Sequence, residues 1–158
     1  MRVAVASDHA GFPLKARVLK EVSEAGHEPV ELGVYSTEPS DYPDSAAELG
    51  EAIVDGKAER GILLCGSGVG ASVAASKIPG VRAALCHDTY SARQGVEHDD
   101  MNVLCLGARI VGEELAAELV RAFLTATFQP EERFVRRLNK VIAIEERYSI
   151  RRDKESVR

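Results

Sequence analysis

Cysteine is scarce in this chain of 158 residues, and its three thiols, at irregular spacing, form neither a disulfide framework nor a zinc pattern. A reducing cytoplasm is therefore the expected setting. No apolar run approaches the length of a membrane span, and the apolar part of the first seven residues is too short for a signal peptide, so no membrane role is expected. Positive charge is short as well: 20 Lys and Arg stand against 25 Asp and Glu, and the four tyrosines and four phenylalanines are not interleaved with a basic stripe. A general nucleic-acid role is excluded on that ground. Repeats and low-complexity segments are absent. A content of 45% hydrophobic and 28% charged residues fits one globular domain with a core of its own, expected over residues 1–147, followed by a polar tail over 148–158.

The segments alternate strand and helix, which implies an α/β fold with a parallel sheet covered on both faces. Strands are expected at Arg2 to Ser7, Glu28 to Val34, Arg60 to Cys65, Arg82 to Cys86 and Val103 to Leu106. Helices are expected at Pro13 to Ala25, from Asp41 to about Asp55, Ala71 to Lys77, from about Thr89, Glu113 to Thr127, and about Glu131 to Arg147. Leu115, Leu119, Val120, Phe123 and Leu124 make an apolar stripe on one of these, and Phe134, Leu138, Val141 and Ile142 make one on the last.

The segment Arg60-Gly-Ile-Leu-Leu-Cys65-Gly-Ser-Gly-Val-Gly70 carries the chemistry. Its continuous apolar run reads as a strand buried on both faces. Gly66, Gly68 and Gly70 then allow a tight turn that a ligand approaches closely, with free amides facing the same point as the Cys65 sulfur. Such a turn favours an anion and gives Cys65 thiolate character. Cys86 and Cys105 sit inside apolar runs without a glycine turn and read as core.

Ligands of open α/β sheets bind outside the carboxyl ends of the strands. Those ends deliver Asp8-His9 and Gly11, then Cys65 and Ser67, then His87-Asp88, then Arg109. His98, in Glu97-His-Asp-Asp100, falls at the opposite, amino edge. On the last helix Arg133 and Arg137 stand side by side with no acid three or four residues from either, an arrangement suited to gripping a phosphate; Arg136 has Glu132 one turn before it. His27 reads as surface, and His87-Asp88 as a pocket wall or helix cap.

Taken together, Ser7-Asp-His-Ala-Gly11, Asp41-Tyr-Pro43, Leu64-Cys-Gly-Ser-Gly-Val-Gly70, Glu97-His-Asp-Asp100, Asn102-Val, Gly107-Ala-Arg109 and the Arg133/Arg137 pair resemble the ribose-5-phosphate isomerase B family, with its allose- and galactose-6-phosphate relatives. The resemblance runs from Met1 to about Arg147 and implies a Rossmann-like three-layer α/β/α sandwich with a five-stranded parallel sheet. It implies an aldose-ketose isomerase that moves a proton through an enediolate and needs no metal or redox cofactor. Cys65 would be the base. Ser67 and the amides of Gly66, Gly68 and Gly70 would stabilise the oxyanion, with Val69 in the same loop. Asp8 and His98 would assist ring opening. His9, Arg109, Arg133 and Arg137 would hold the phosphate, and Tyr42 would line the pocket. The family also implies a homodimer, or a dimer of dimers, with active sites shared between chains.

One branch of that family places a glutamate just after the last glycine of the loop; here that position is Ala71, so the chain is similar to the cysteine branch. Asp99 stands where an asparagine that touches the sugar is usual, and Phe134 replaces a histidine that commonly follows the first phosphate arginine. Gln129-Pro-Glu-Glu132 replaces a shorter glycine-rich approach. These departures leave open whether the sugar has five or six carbons. A module holding a nucleotide or flavin phosphate is the competing class, and Gly11-Phe-Pro lacks the three-glycine dinucleotide fingerprint it would need. A phosphosugar-binding relative without catalysis is a third reading, against which the presence of Cys65 speaks.

Overall fold

A computed structural model describes the backbone of residues 1–155 and the side chains through residue 149. Its strands are β1 (Arg2–Ser7), β2 (Glu28–Glu31), β3 (Arg60–Cys65), β4 (Ala83–Leu85) and β5 (Val103–Gly107). They form one five-stranded sheet in the order β2-β1-β3-β5-β4, parallel throughout. The helices are α1 (Phe12–Glu24), α2 (Tyr42–Val54), α3 (Val69–Ala75), α4 (Thr89–Asp99), α5 (Glu113–Thr125) and α6 (Glu132–Glu155).

Alternation along the strands sets the layers. Val3, Val5, Ile62, Leu64, Leu104 and Leu106 pack with apolar residues of α1, α4 and α5 on one face. Ala4, Ala6, Leu63 and Cys105 pack with α2 and α3 on the other. Both sets are fully or almost fully buried, and each such Val, Leu or Ile contributes about 1.5–3 kcal/mol against exposure. The result is the Rossmann-like three-layer sandwich. From β1 the chain crosses to β2 on one side, whereas β3 leads to strands on the other, so the order reverses between β1 and β3. That crevice is where open sheets of this class accept ligands.

Two element ends differ from expectation by more than two residues. The second strand stops at Glu31 rather than Val34, because Gly33 turns the chain with φ 74°. The last helix continues past Arg147 to Glu155, since no Gly or Pro follows Pro130 to stop it. Its apolar stripe is only partly covered: Phe134 is 1% exposed, yet Val141 is 50% and Ile144 56% exposed. His27 is half-buried rather than on the surface, with an unpartnered Nδ1, and burial together with the nearby N-terminus and Arg60 lowers its pKa.

Candidate active site

The carboxyl ends of β1 and β3 bring Asp8 and Cys65 into the crevice. They are locked together by the backbone: the Asp8 amide donates to the Leu64 carbonyl at 3.1 Å, and a side chain on Gly11 would strike that same carbonyl. The buried Asp8 carboxylate accepts from the Gly11 amide at 2.8 Å through Oδ1, which leaves Oδ2 for a ligand. Cys65, 5% exposed, accepts from the Gly68 amide through Sγ at 3.0 Å. The turn is possible because Gly68 adopts φ 81° with its Cα against Leu85.

The rest of the loop gathers neighbours. Ser67 is exposed and accepts from the Val69 amide through Oγ at 3.3 Å. The Tyr42 ring, at the start of α2, lies over the Gly70 Cα, so it is both a helix-start residue and a wall of the crevice. Arg109 donates its amide to the Gly66 carbonyl at 3.0 Å, and its guanidinium lies beside the Gly66 Cα. His9 is held by Ser40: the His9 amide donates to Ser40 Oγ at 3.0 Å, and the Ser40 backbone lies 3.1 Å from His9 Nδ1. Nε2 is the nitrogen left to face a ligand. The segment carrying Ser40 is fastened in turn by Lys15, 1% exposed at its side chain, which donates to the Val34 carbonyl at 2.9 Å and pairs with Glu31 at 3.2 Å.

A second group sits elsewhere. α4 runs back from the carboxyl end of β4 to the amino end of β5, where Arg82 bonds Asp100 and Asn102. His98 and Asp99 therefore lie at the amino edge, away from Cys65. His98 stacks on Phe134 with centroids 3.9 Å apart and planes at 18°, and its Nδ1 is 2.7 Å from Gln94 Nε2. The Arg133 guanidinium carbon is 4.4 Å from the centre of the Phe134 ring. α6 thus places Arg133 beside the Phe134–His98 stack, with Arg137 one turn further along the helix.

Two expectations change and a third resolves. Arg133 does have an acid: its Nε donates to Glu131 at 3.0 Å. Helical spacing misses this pair because Glu131 lies in the turn before α6. Arg137 makes no ion pair among the described residues, and Arg136 reaches Glu132 at 3.9 Å. The Gly68 amide serves the thiol rather than an oxyanion, so Gly66, Ser67 and Gly70 remain as backbone donors. His87 and Asp88 resolve into two roles: Asp88 caps α4 by accepting from the Ser91 amide at 2.7 Å, and His87 Nε2 accepts from the Gly107 amide at 3.1 Å. Ser40, Gln94 and Glu131 escaped sequence reasoning; only Gln94, one turn before His98, left a signal there.

The arginines differ enough to test. If Arg137 holds a substrate phosphate, Arg137→Ala weakens phosphorylated sugars by roughly 1.5–3 kcal/mol, read as a rise in KM, through loss of a charge-assisted hydrogen bond. Arg136→Ala should change KM little. Equal effects at 136 and 137 would reduce α6 to a diffuse basic field.

A buried acid and a thiol beside an amide-rich turn, set at the strand-order reversal of a parallel sheet, define a small-molecule α/β enzyme site. The chain belongs to the Ribose/Galactose Isomerase family, whose model matches residues 3–141. It is 41% identical over 146 residues to ribose-5-phosphate isomerase B of Escherichia coli, covering 92% of this chain and 97% of that one. It is also 41% identical over 133 residues to a D-erythrulose-4-phosphate isomerase of Pectobacterium atrosepticum, covering 82% of this chain and 86% of that one. A solved structure of Clostridium thermocellum ribose-5-phosphate isomerase B superimposes with TM-score 0.90 at 41% identity, covering 94% of this chain and 99% of that one.

Proposed function

We propose that the chain interconverts ribose 5-phosphate and ribulose 5-phosphate, with Cys65 as the base. The observation that carries this is the Cys65 sulfur on the Gly68 amide at 3.0 Å, beside the buried Asp8. His98 donates a proton to the ring oxygen while Asp8 takes the anomeric hydroxyl proton, and the ring opens to the aldehyde. The Cys65 thiolate then removes the C2 proton, and the electron pair moves through C1–C2 onto O1. Ser67 and the Gly66 and Gly70 amides meet that oxyanion, each donor contributing about 2.7–4 kcal/mol in comparable sites. Return of the proton to C1, with transfer of the O2 proton to O1, gives the ketose. His9, Arg109, Arg133 and Arg137 hold the phosphate, and Asp99 and Tyr42 flank the sugar. Asp8 passes its proton back to His98 through solvent, so atoms and charges balance without a metal or redox cofactor.

The site is shared between two chains of a cytoplasmic homodimer, singly or as a dimer of dimers. Support comes from the separation of the Cys65 and His98 groups and from the apolar groove beside α6. Leu138, Val141, Ile144, Met101 and Ala83 line it, a surface a second copy would cover. No helix among the described residues is long and apolar enough to cross a membrane.

The test is an isomerase assay of purified protein with ribose 5-phosphate, allose 6-phosphate, galactose 6-phosphate and erythrulose 4-phosphate side by side. The highest kcat/KM is expected for ribose 5-phosphate. A higher value for a six-carbon or four-carbon sugar would move the substrate and leave the chemistry in place.

A further inference from the structure

Strand β4 leaves the sheet early, and a side chain takes its last rung. The pairing of β4 with β5 runs from Ala83↔Val103 to Leu85↔Cys105, and the Val103 amide donates to the Arg82 carbonyl at 3.2 Å. Acceptors along a parallel ladder recur at every second residue, so the Gly107 amide would fall next to the Cys86 carbonyl. It donates instead to His87 Nε2 at 3.1 Å, in a half-buried setting. Only a bare ring nitrogen can receive an N–H, so His87 is held as the neutral Nδ1–H tautomer.

That bond bears on the Cys65 turn because the end of β5 is the surface the turn rests on. A side chain on Gly107 would strike the Ser67 backbone, and Gly68 sits against the Leu106 and Gly107 backbone. The next two amides hold the turn directly: Ala108 donates to the Cys65 carbonyl at 2.9 Å and Arg109 to the Gly66 carbonyl at 3.0 Å. In a trans peptide the N–H points opposite to the carbonyl. With both carbonyls drawn toward the end of β5, the Gly66 and Ser67 amides point to the other side of β3, where β1 and Asp8 lie.

We infer that His87 is a positioning residue: through Gly107 it fixes the end of β5, which in turn aims the Gly66 and Ser67 amides at the developing oxyanion. The inference rests on the reading of the glycine turn as the oxyanion site, and it asks no proton transfer of the ring, only an acceptor.

Two substitutions separate the acceptor from the bulk. Gln offers an amide oxygen at about the reach of Nε2, whereas Leu fills space and accepts nothing. His87→Leu is expected to lower kcat on ribose 5-phosphate by about tenfold, a fraction of the 10²–10³ that loss of one oxyanion donor costs, and His87→Gln should keep most of the turnover. Equal losses in the two variants would make the ring mere packing, and wild-type kcat in both would remove the positioning role; either result overturns the inference while the isomerase reading stands. The bond itself is read without sugar, in protein labelled with 15N-histidine at a pH where imidazoles are neutral, with His87 assigned by the signal lost in His87→Gln. A bare Nε2 and a protonated Nδ1 are expected, and the Gly107 amide should exchange with solvent faster in His87→Leu than in His87→Gln. A wild-type ring protonated on Nε2 would overturn the inference even if the Leu variant failed to fold. A protein with the expected tautomer that isomerises none of the sugar phosphates would remove the isomerase reading and the positioning role with it, leaving His87 as a rung of the sheet.

Discussion

Cys65→Ala is expected to abolish isomerisation while phosphosugar binding survives, because in the proposed mechanism Cys65 acts on a carbon-bound proton and other groups hold the phosphate. Loss of a positioned base costs about 10²–10⁴ in kcat, and binding measured by calorimetry or quenching should shift far less. The two remaining thiols are internal controls. Burial, with a smaller contribution from Asp88, pushes the Cys86 thiol up to about 11. Burial likewise drives the fully buried Cys105 far upward. Neither is a thiolate near neutral pH, so Cys86→Ala and Cys105→Ala should keep turnover, and a thiol-alkylating reagent should inactivate through Cys65 alone. Near wild-type turnover in Cys65→Ala would assign the base elsewhere. A four-carbon aldose phosphate sharpens the result: with O4 phosphorylated it has no hydroxyl placed to close a five-membered ring. If it is turned over, it should need Cys65 but not His98.

Much of this site is local in the chain, which explains why it was legible there. A buried β3 running into Cys65 and a glycine turn is written in consecutive residues, and the alternation of apolar segments gives the sheet and its layers. What stayed hidden depends on contacts between elements far apart in sequence or just outside a helix. Ser40 reaches His9 from a segment that Lys15 of α1 fastens at Val34. Glu131 reaches Arg133 from a turn, where the three- and four-residue spacing of a helix does not apply. The Gly68 amide turning inward to sulfur is a matter of one backbone dihedral, which glycine permits and composition does not reveal. The apolar stripe of α6 was visible as periodicity, but periodicity does not say whose surface covers it.

That uncovered stripe leads to the second large effect. Within one chain Cys65 lies at the carboxyl edge of the sheet and His98 at the amino edge, with Arg133 and Phe134 beside His98. Base and ring-opening acid meet only if a second copy presents its α4–α6 corner to the Cys65 crevice of the first, and two-fold symmetry would then create two equivalent sites, each built from both chains. Cys65→Ala and His98→Ala homodimers should each be inactive on ribose 5-phosphate. After the two proteins are mixed, reversibly dissociated and reassembled, a heterodimer pairs one intact Cys65 with one intact His98 in one of its sites, and the other site carries both defects. Random exchange makes half of the dimers mixed with one good site apiece, so recovery should approach about a quarter of wild type. The fraction of heterodimer is read by mass spectrometry with one partner isotopically labelled, and recovered activity should rise in proportion to it. Heterodimer formed in the expected proportion with no activity recovered would place both residues in a site within one chain, and the Cys65-to-His98 separation would then have to close by a movement of α4 and α6 together.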